Sequence, residues 1–76
     1  MNADRRKKLD EIRSKLEDAK WELESVASDE RDAFDNMPES LQQGERGQAV
    51  EQAADTLDEA ASDIDDILSK IEEAKE

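Results

Sequence analysis

Leu9, Leu16, Leu23 and Met37 recur at seven-residue intervals, with Glu30 at the one position of that series that is not apolar. Three residues on, Ile12, Ala19, Val26 and Ala33 form a second series. Two apolar tracks offset by three or four residues make one stripe on an α-helix, because about 3.6 residues complete a turn. The pattern predicts a helix over residues 3–35, about 50 Å long at ~1.5 Å per residue. Asn2 or Asp4 can cap its start.

The second half repeats the pattern. Val50, Leu57, Ile64 and Ile71 form one track, Ala53, Ala60, Ile67 and Ala74 the other, and Ala54, Ala61 and Leu68 widen the stripe. A second helix is therefore expected over residues 45–75. Between the two lie residues 36–44. Pro38 suits the first turn of a new helix and not the interior of an old one. Leu41 falls about 180° from the Val50 stripe at ~100° per residue, so residues 38–43 do not run into the second helix in one register. A short helical turn ending near Gly44 is expected, its Asn, Ser and Gln side chains serving either as caps or as a binding surface.

Folded back, the tracks match in a single antiparallel register. Leu9 meets Ile71, Leu16 meets Ile64 and Leu23 meets Leu57, with Ala19 beside Ala60 and Ala61 and Val26 beside Ala53 and Ala54. The expected fold is all-α, one domain over residues 1–76: an antiparallel, coiled-coil-like two-helix hairpin with a short helical turn. So short a chain has a marginal core, and two helices cover only one side of each seam. Self-association into a homodimeric four-helix arrangement is expected for that reason. The same register brings Arg5–Lys8 beside Asp65, Asp66, Glu72 and Glu73. It also puts Glu30 within a helical turn of Arg46, and pairing there or with a turn amide is expected, since an unpaired buried charge costs several kcal/mol.

Composition changes the picture in one respect. Charged residues make up 45% of the chain and hydrophobic ones 34%, a balance near the disordered regime that only the heptad periodicity overrides. The net charge of -12 is uneven. Residues 1–20 hold seven bases and five acids; residues 21–76 hold four bases and eighteen acids. Direct binding to nucleic acid is disfavoured and a basic partner favoured.

Catalytic chemistry has little to work with. The chain contains no histidine, cysteine or tyrosine, so thiolate metal sites and disulfides are excluded. Neighbouring carboxylates such as Asp65 and Asp66 diverge on a helix, and Asp63-Ile64-Asp65-Asp66 lacks the turn glycine of a calcium loop. Neither an enzyme nor a metal or other cofactor is expected. No apolar run approaches the roughly 20 residues of a membrane span. The basic N-terminal stretch runs into amphipathic sequence and does not read as a signal peptide. A cytoplasmic protein that binds no membrane is expected.

Two features remain as candidates for binding. Trp21 falls on the side of the first helix away from Leu16 and Leu23, among Glu17, Asp18, Glu24 and Ser25. It is either a half-exposed residue lying over its neighbours' stems or an anchor at an interface, where Trp is enriched. Residues 21–62 carry twelve acids against Arg31 and Arg46. Such a run is usually a solvated face; its alternative use is to imitate a phosphate backbone. The candidate partner-binding residues are Trp21, Glu22, Asp29, Asp32, Asp55 and Glu59.

The stretch Phe34-Asp35-Asn36-Met37-Pro38-Glu39-Ser40-Leu41-Gln42, followed by Glu45-Arg46-Gly47, resembles small helical proteins carried by phages and other bacterial mobile elements. Arg6-Lys7-Lys8-Leu9, Leu57, Ala60 and Ile64 extend the likeness over most of the chain. The resemblance implies a genomic setting and not an activity. Gly44 stands where a capping serine is frequent in those proteins, which weakens the second helix's cap. Small acidic proteins of such elements include inhibitors of CRISPR and restriction systems, some of them DNA mimics, to which this chain is similar in size and charge. The expected function is inhibition or modulation of a host nucleic-acid-handling complex through its basic surface. The alternative is an adaptor module that mediates assembly through its heptad seams.

Overall fold

The computed structural model describes residues 1–76 and is helical almost throughout: α1 spans Ala3–Asp35, α2 Glu39–Gln42 and α3 Glu45–Lys75. Asn2 caps α1, its Oδ1 accepting from the Arg5 amide at 2.9 Å. Gly44 precedes α3 in an extended conformation and supplies no side-chain cap. α1 and α3 pack side by side as an antiparallel hairpin, a rod of 58 × 15 × 11 Å. The Arg6 side chain donates to the Lys75 carbonyl at one end, and Arg31 reaches Asp55 and Asp58 nearer the other.

The seam differs from the expected one chiefly on α1; on α3 Ala54, Ala61 and Leu68, expected to widen the stripe, are shielded, and Ala19, Ala53 and Ala60 of the other expected track are half-buried. On α1 and just beyond it, Leu9, Arg13, Leu16, Lys20, Leu23, Ala27, Glu30, Phe34 and Met37 are shielded in four–three spacing, with Glu17 and Ala19 half-buried beside them. On α3 the shielded positions are Gly47, Val50, Ala54, Leu57, Ala61, Ile64, Leu68, Ile71 and Lys75. The tracks of Leu9 and Val50 stand as expected. Ile12, Val26 and Ala33 do not line the seam, nor do Ile67 and Ala74; all five are exposed. Two causes combine. Small residues (Ala54 and Ala61) let α3 approach α1 closely along the observed track, and Phe34 and the aliphatic stems of Arg13 and Lys20 fill the matching positions while their charged heads reach outward. Counting apolar letters favours Ile12 and Val26 over Arg13 and Lys20, so the stems go unnoticed.

The core is correspondingly thin. Only Ala27, Gly47, Ala54 and Ala61 are buried, and no large side chain is fully enclosed. At the corner, the Gln42 side-chain amide donates to the Phe34 carbonyl at 2.9 Å, satisfying one of the carbonyls that the end of α1 leaves open. The Pro38 carbonyl accepts from the Leu41 and Gln42 amides. Gly47 lies so close to α2 that a Cβ there would meet the Gln42 and Leu41 carbonyl oxygens at 2.3 and 2.5 Å. Those are backbone atoms with no freedom to turn aside, so glycine is required by proximity. The polar turn residue whose contacts are defined, Gln42, acts as a cap.

Candidate protein-binding surfaces

The seam divides the rest of each helix into two flanks and an outer back. In an antiparallel pair, the residues that follow the Leu9 and Val50 tracks come to the same side, and those that precede the Ala27 and Ala54 tracks come to the other. The first flank is acidic. With the neighbouring strip it carries Asp10, Glu17, Glu24, Asp35, Glu51, Asp55, Asp58, Asp65, Glu72 and Glu76, against Lys7 and Arg31 as its own bases. The second flank is apolar and nearly charge-balanced. It carries Ile12, Ala19, Val26, Ala33, Ala53, Ala60, Ile67 and Ala74, fringed by Glu22, Asp29 and Asp63 against Arg5, Lys8, Lys15, Arg46 and Lys70.

Ion pairs confirm which side is which. Lys20 lies 2.8 Å from Asp65 and 3.7 Å from Glu24. Arg13 lies 3.0 Å from Glu72, and its Nε sits 3.1 Å from Glu17 at an angle that makes no aligned hydrogen bond. Lys75 is 2.5 Å from Asp10 and 3.5 Å from Glu72, and Arg31 bridges Asp55 and Asp58. Every one of these carboxylates belongs to the acidic flank. The Lys20 pKa is raised first by its hydrogen bond to Asp65, with partial desolvation opposing. Lys75 is raised in the same way by Asp10 and Arg31 by Asp58. Such exposed pairs each contribute little to stability, and they report the rotation of the helices.

Two expected pairings are absent. Arg5, Lys7 and Lys8 make no ion pair, and Arg6 binds a backbone carbonyl; Arg13, Lys20 and Lys75, whose stems lie in the seam, hold the facing acids instead. Glu30 sits half-buried in the seam without an ion pair or hydrogen bond to Arg46 or to a turn amide. Its partial exposure leaves the carboxylate to water.

The six candidate residues are all exposed, and the helical phase distributes them over the rod. Trp21 and Asp55 belong to the acidic flank, Asp55 already engaged by Arg31. Glu22 and Asp29 fringe the apolar flank. Asp32 and Glu59 lie on the outer backs of the two helices. Trp21, 59% exposed, stands midway along the acidic flank, about 130° from the centre of the seam and on the side away from Leu16 and Leu23. The apolar flank was missed as a surface because its residues were assigned to the core. No three carboxylates converge where a metal ion would be held, and no helix is long and apolar enough to cross a membrane.

No family model, curated protein or solved structure matches this chain.

Proposed function

We propose that this protein is a binding protein and not an enzyme, presenting its acidic flank and outer backs to a basic surface on a nucleic-acid-handling protein and so inhibiting or modulating it. One observation carries the reading: the acidic flank and backs together bear eighteen carboxylates along the 58 Å rod. Set against Lys7, Arg31 and the heads of Arg13, Lys20 and Lys75 that reach this side, they leave a net thirteen negative charges, one per ~4.5 Å, against ~3.4 Å along one nucleic-acid strand. Exposed Trp21 in the middle of that flank supplies the aromatic contact that interfaces favour. The resemblance to phage and mobile-element proteins is compatible with a host complex as the target, in the cytoplasm, with no direct contact to nucleic acid or membrane.

The test uses the full chain as bait in a bacterial lysate at low and high salt, followed by elution with duplex DNA. Capture of nucleic-acid-binding proteins that DNA displaces is expected, and so is its loss when Glu51, Asp55 and Asp58 are changed to lysine. Capture that survives this change and high salt alike, but not Trp21→Ala, would remove electrostatic mimicry from the reading.

A second reading is favoured by the exposed apolar flank. Self-association into a four-helix arrangement would cover it, making the chain an assembly module. The two readings are compatible, because they use opposite sides of the rod.

A further inference from the structure

The apolar flank is long enough to be an interface. A strip along a rod of 58 × 15 Å offers on the order of 800 Å² per copy, what a standard-size interface buries. Ile12, Val26 and Ile67 stand on it 39, 49 and 45% exposed, in a molecule whose only fully buried residues are alanine and glycine. Two copies stacked flank to flank can be related by a two-fold axis along the rod or across it. The first sets open ends together, with α1 over the partner's α3. The second reverses one rod, with α1 over α1 and α3 over α3.

Charge separates the two. Residues 21–62 hold twelve acids and two bases, whereas the open half (residues 1–20 and 63–76) comes within two charges of neutral. Parallel stacking sets the strongly acidic halves against each other; antiparallel stacking sets each against a nearly neutral one. The fringe is more discriminating. Along α1 it reads Lys8, Lys15, Glu22, Asp29, so reversal brings Lys8 beside Asp29 and Lys15 beside Glu22, twice each. Parallel stacking would bring Lys8 beside Lys70. Size agrees: Ile12 and Ile67 occupy the open half, and a shallow groove beside Ala49, Ala53 and Leu57 lies in the turn half. Ala19 and Ala60, small residues, fall at the middle, where the helices cross the axis.

We infer that the occupant of the apolar flank is a second copy of this chain, reversed end for end, in a two-fold four-helix bundle held by Ile12, Val26 and Ile67 and aligned by Lys8–Asp29 and Lys15–Glu22 pairs across the interface. The inference rests on the self-association reading and adds the face and the direction. One contact opposes it: Asp63 of each copy lies near the axis beside its counterpart.

Sedimentation equilibrium of the full chain, with helicity followed by circular dichroism, tests both parts. A dimer is expected, and Ile12→Ser with Ile67→Ser should weaken it at least tenfold with helicity kept. Lys15→Glu and Glu22→Lys should each weaken it, and the two together should restore it. Asp63→Asn should tighten it, because a like-charged pair disappears; in the parallel arrangement Asp63 faces Lys15 and the same change would loosen it. Ala19→Cys should oxidise to a cross-linked dimer, since reversal brings position 19 to its own copy. A monomer at every concentration would overturn this inference and the self-association reading together. A dimer that survives the double serine change, or that Asp63→Asn loosens, would overturn the face or the direction alone.

Discussion

Ala27 on α1 and Ala54 on α3 are the two side chains with no solvent exposure at all, and the register that joins Arg6 to Lys75 sets them at the same level of the rod. The most enclosed level of the hairpin is thus lined by two methyl groups. Enlarging either one should force the helices apart. Ala27→Leu or Ala54→Leu is expected to destabilise by about 1–3 kcal/mol, the usual result of overfilling a packed site, read as a lower urea midpoint.

Leu16→Ala and Ile64→Ala should cost about 2 kcal/mol each, the low end for aliphatic truncation, because both seam residues keep some exposure. Ile12→Ala should cost well under ~1 kcal/mol in dilute, monomeric protein, where that side chain is 39% exposed. Equal losses for Leu16 and Ile12 would return the seam to the track that apolar counting favours.

Gly47→Ala pits two effects against each other. Alanine gains about 1 kcal/mol of helix propensity over glycine, while its Cβ meets the Gln42 and Leu41 carbonyl oxygens at 2.3 and 2.5 Å. The clash is with backbone, so α2 has to move and the net effect should be destabilising. Loss of the Gln42–Phe34 cap should accompany it, seen as faster amide exchange over residues 36–44. A more stable variant with an unchanged exchange pattern would show that the corner has room.

Glu30→Leu should raise stability by roughly 1 kcal/mol. The carboxylate lies in the seam at the level of Val50 and makes no ion pair, so an apolar replacement gains area and gives up no partner. A drop in thermal midpoint would reveal a polar contact at that site.

Stability should be flat around neutral pH and fall in alkali. Lys20 and Lys75 have pKa values raised by Asp65 and Asp10. Below the unfolded lysine value of about 10.4 both are charged in either state and their stabilisation is complete. As pH rises past it, the unfolded chain gives up its protons first, and the contribution is gone once the folded values are passed. The double variant Lys20→Met, Lys75→Met should show a shallower alkaline fall in thermal midpoint. Equal slopes would mean that these two pairs are not its source. Arg31, raised from an already high value, adds nothing in that range.

The two long helices and their antiparallel pairing were legible because heptad spacing and helix length are properties of the letters alone. The second track was legible on α3, where Ala54, Ala61 and Leu68 stand in the stripe, and not on α1. Arg13 and Lys20 count as polar in any tally, yet their stems pack, and Ile12 and Val26 count as core although nothing covers them in one copy. The need for Gly47 was equally hidden, since it comes from α2 lying against α3 and not from any local signal. The acidic excess was visible as a total. Its confinement to one flank and the two backs depends on a phase that the ion pairs of Lys20, Arg13 and Arg31 reveal.

This sequence holds two stripes that compete to be its seam, and the corner adds to the packing that favours the observed one. Gly47 against α2 and Gln42 on the Phe34 carbonyl key the two rods to one rotation, and the alternative lies on the order of 60° away on each helix. With Gly-Ser repeats in place of residues 36–44, each rod would be free to roll. Ile12, Val26 and Ile67 would then be freer to turn inward. The corner therefore does more than close the hairpin, because it helps to fix which stripe faces outward.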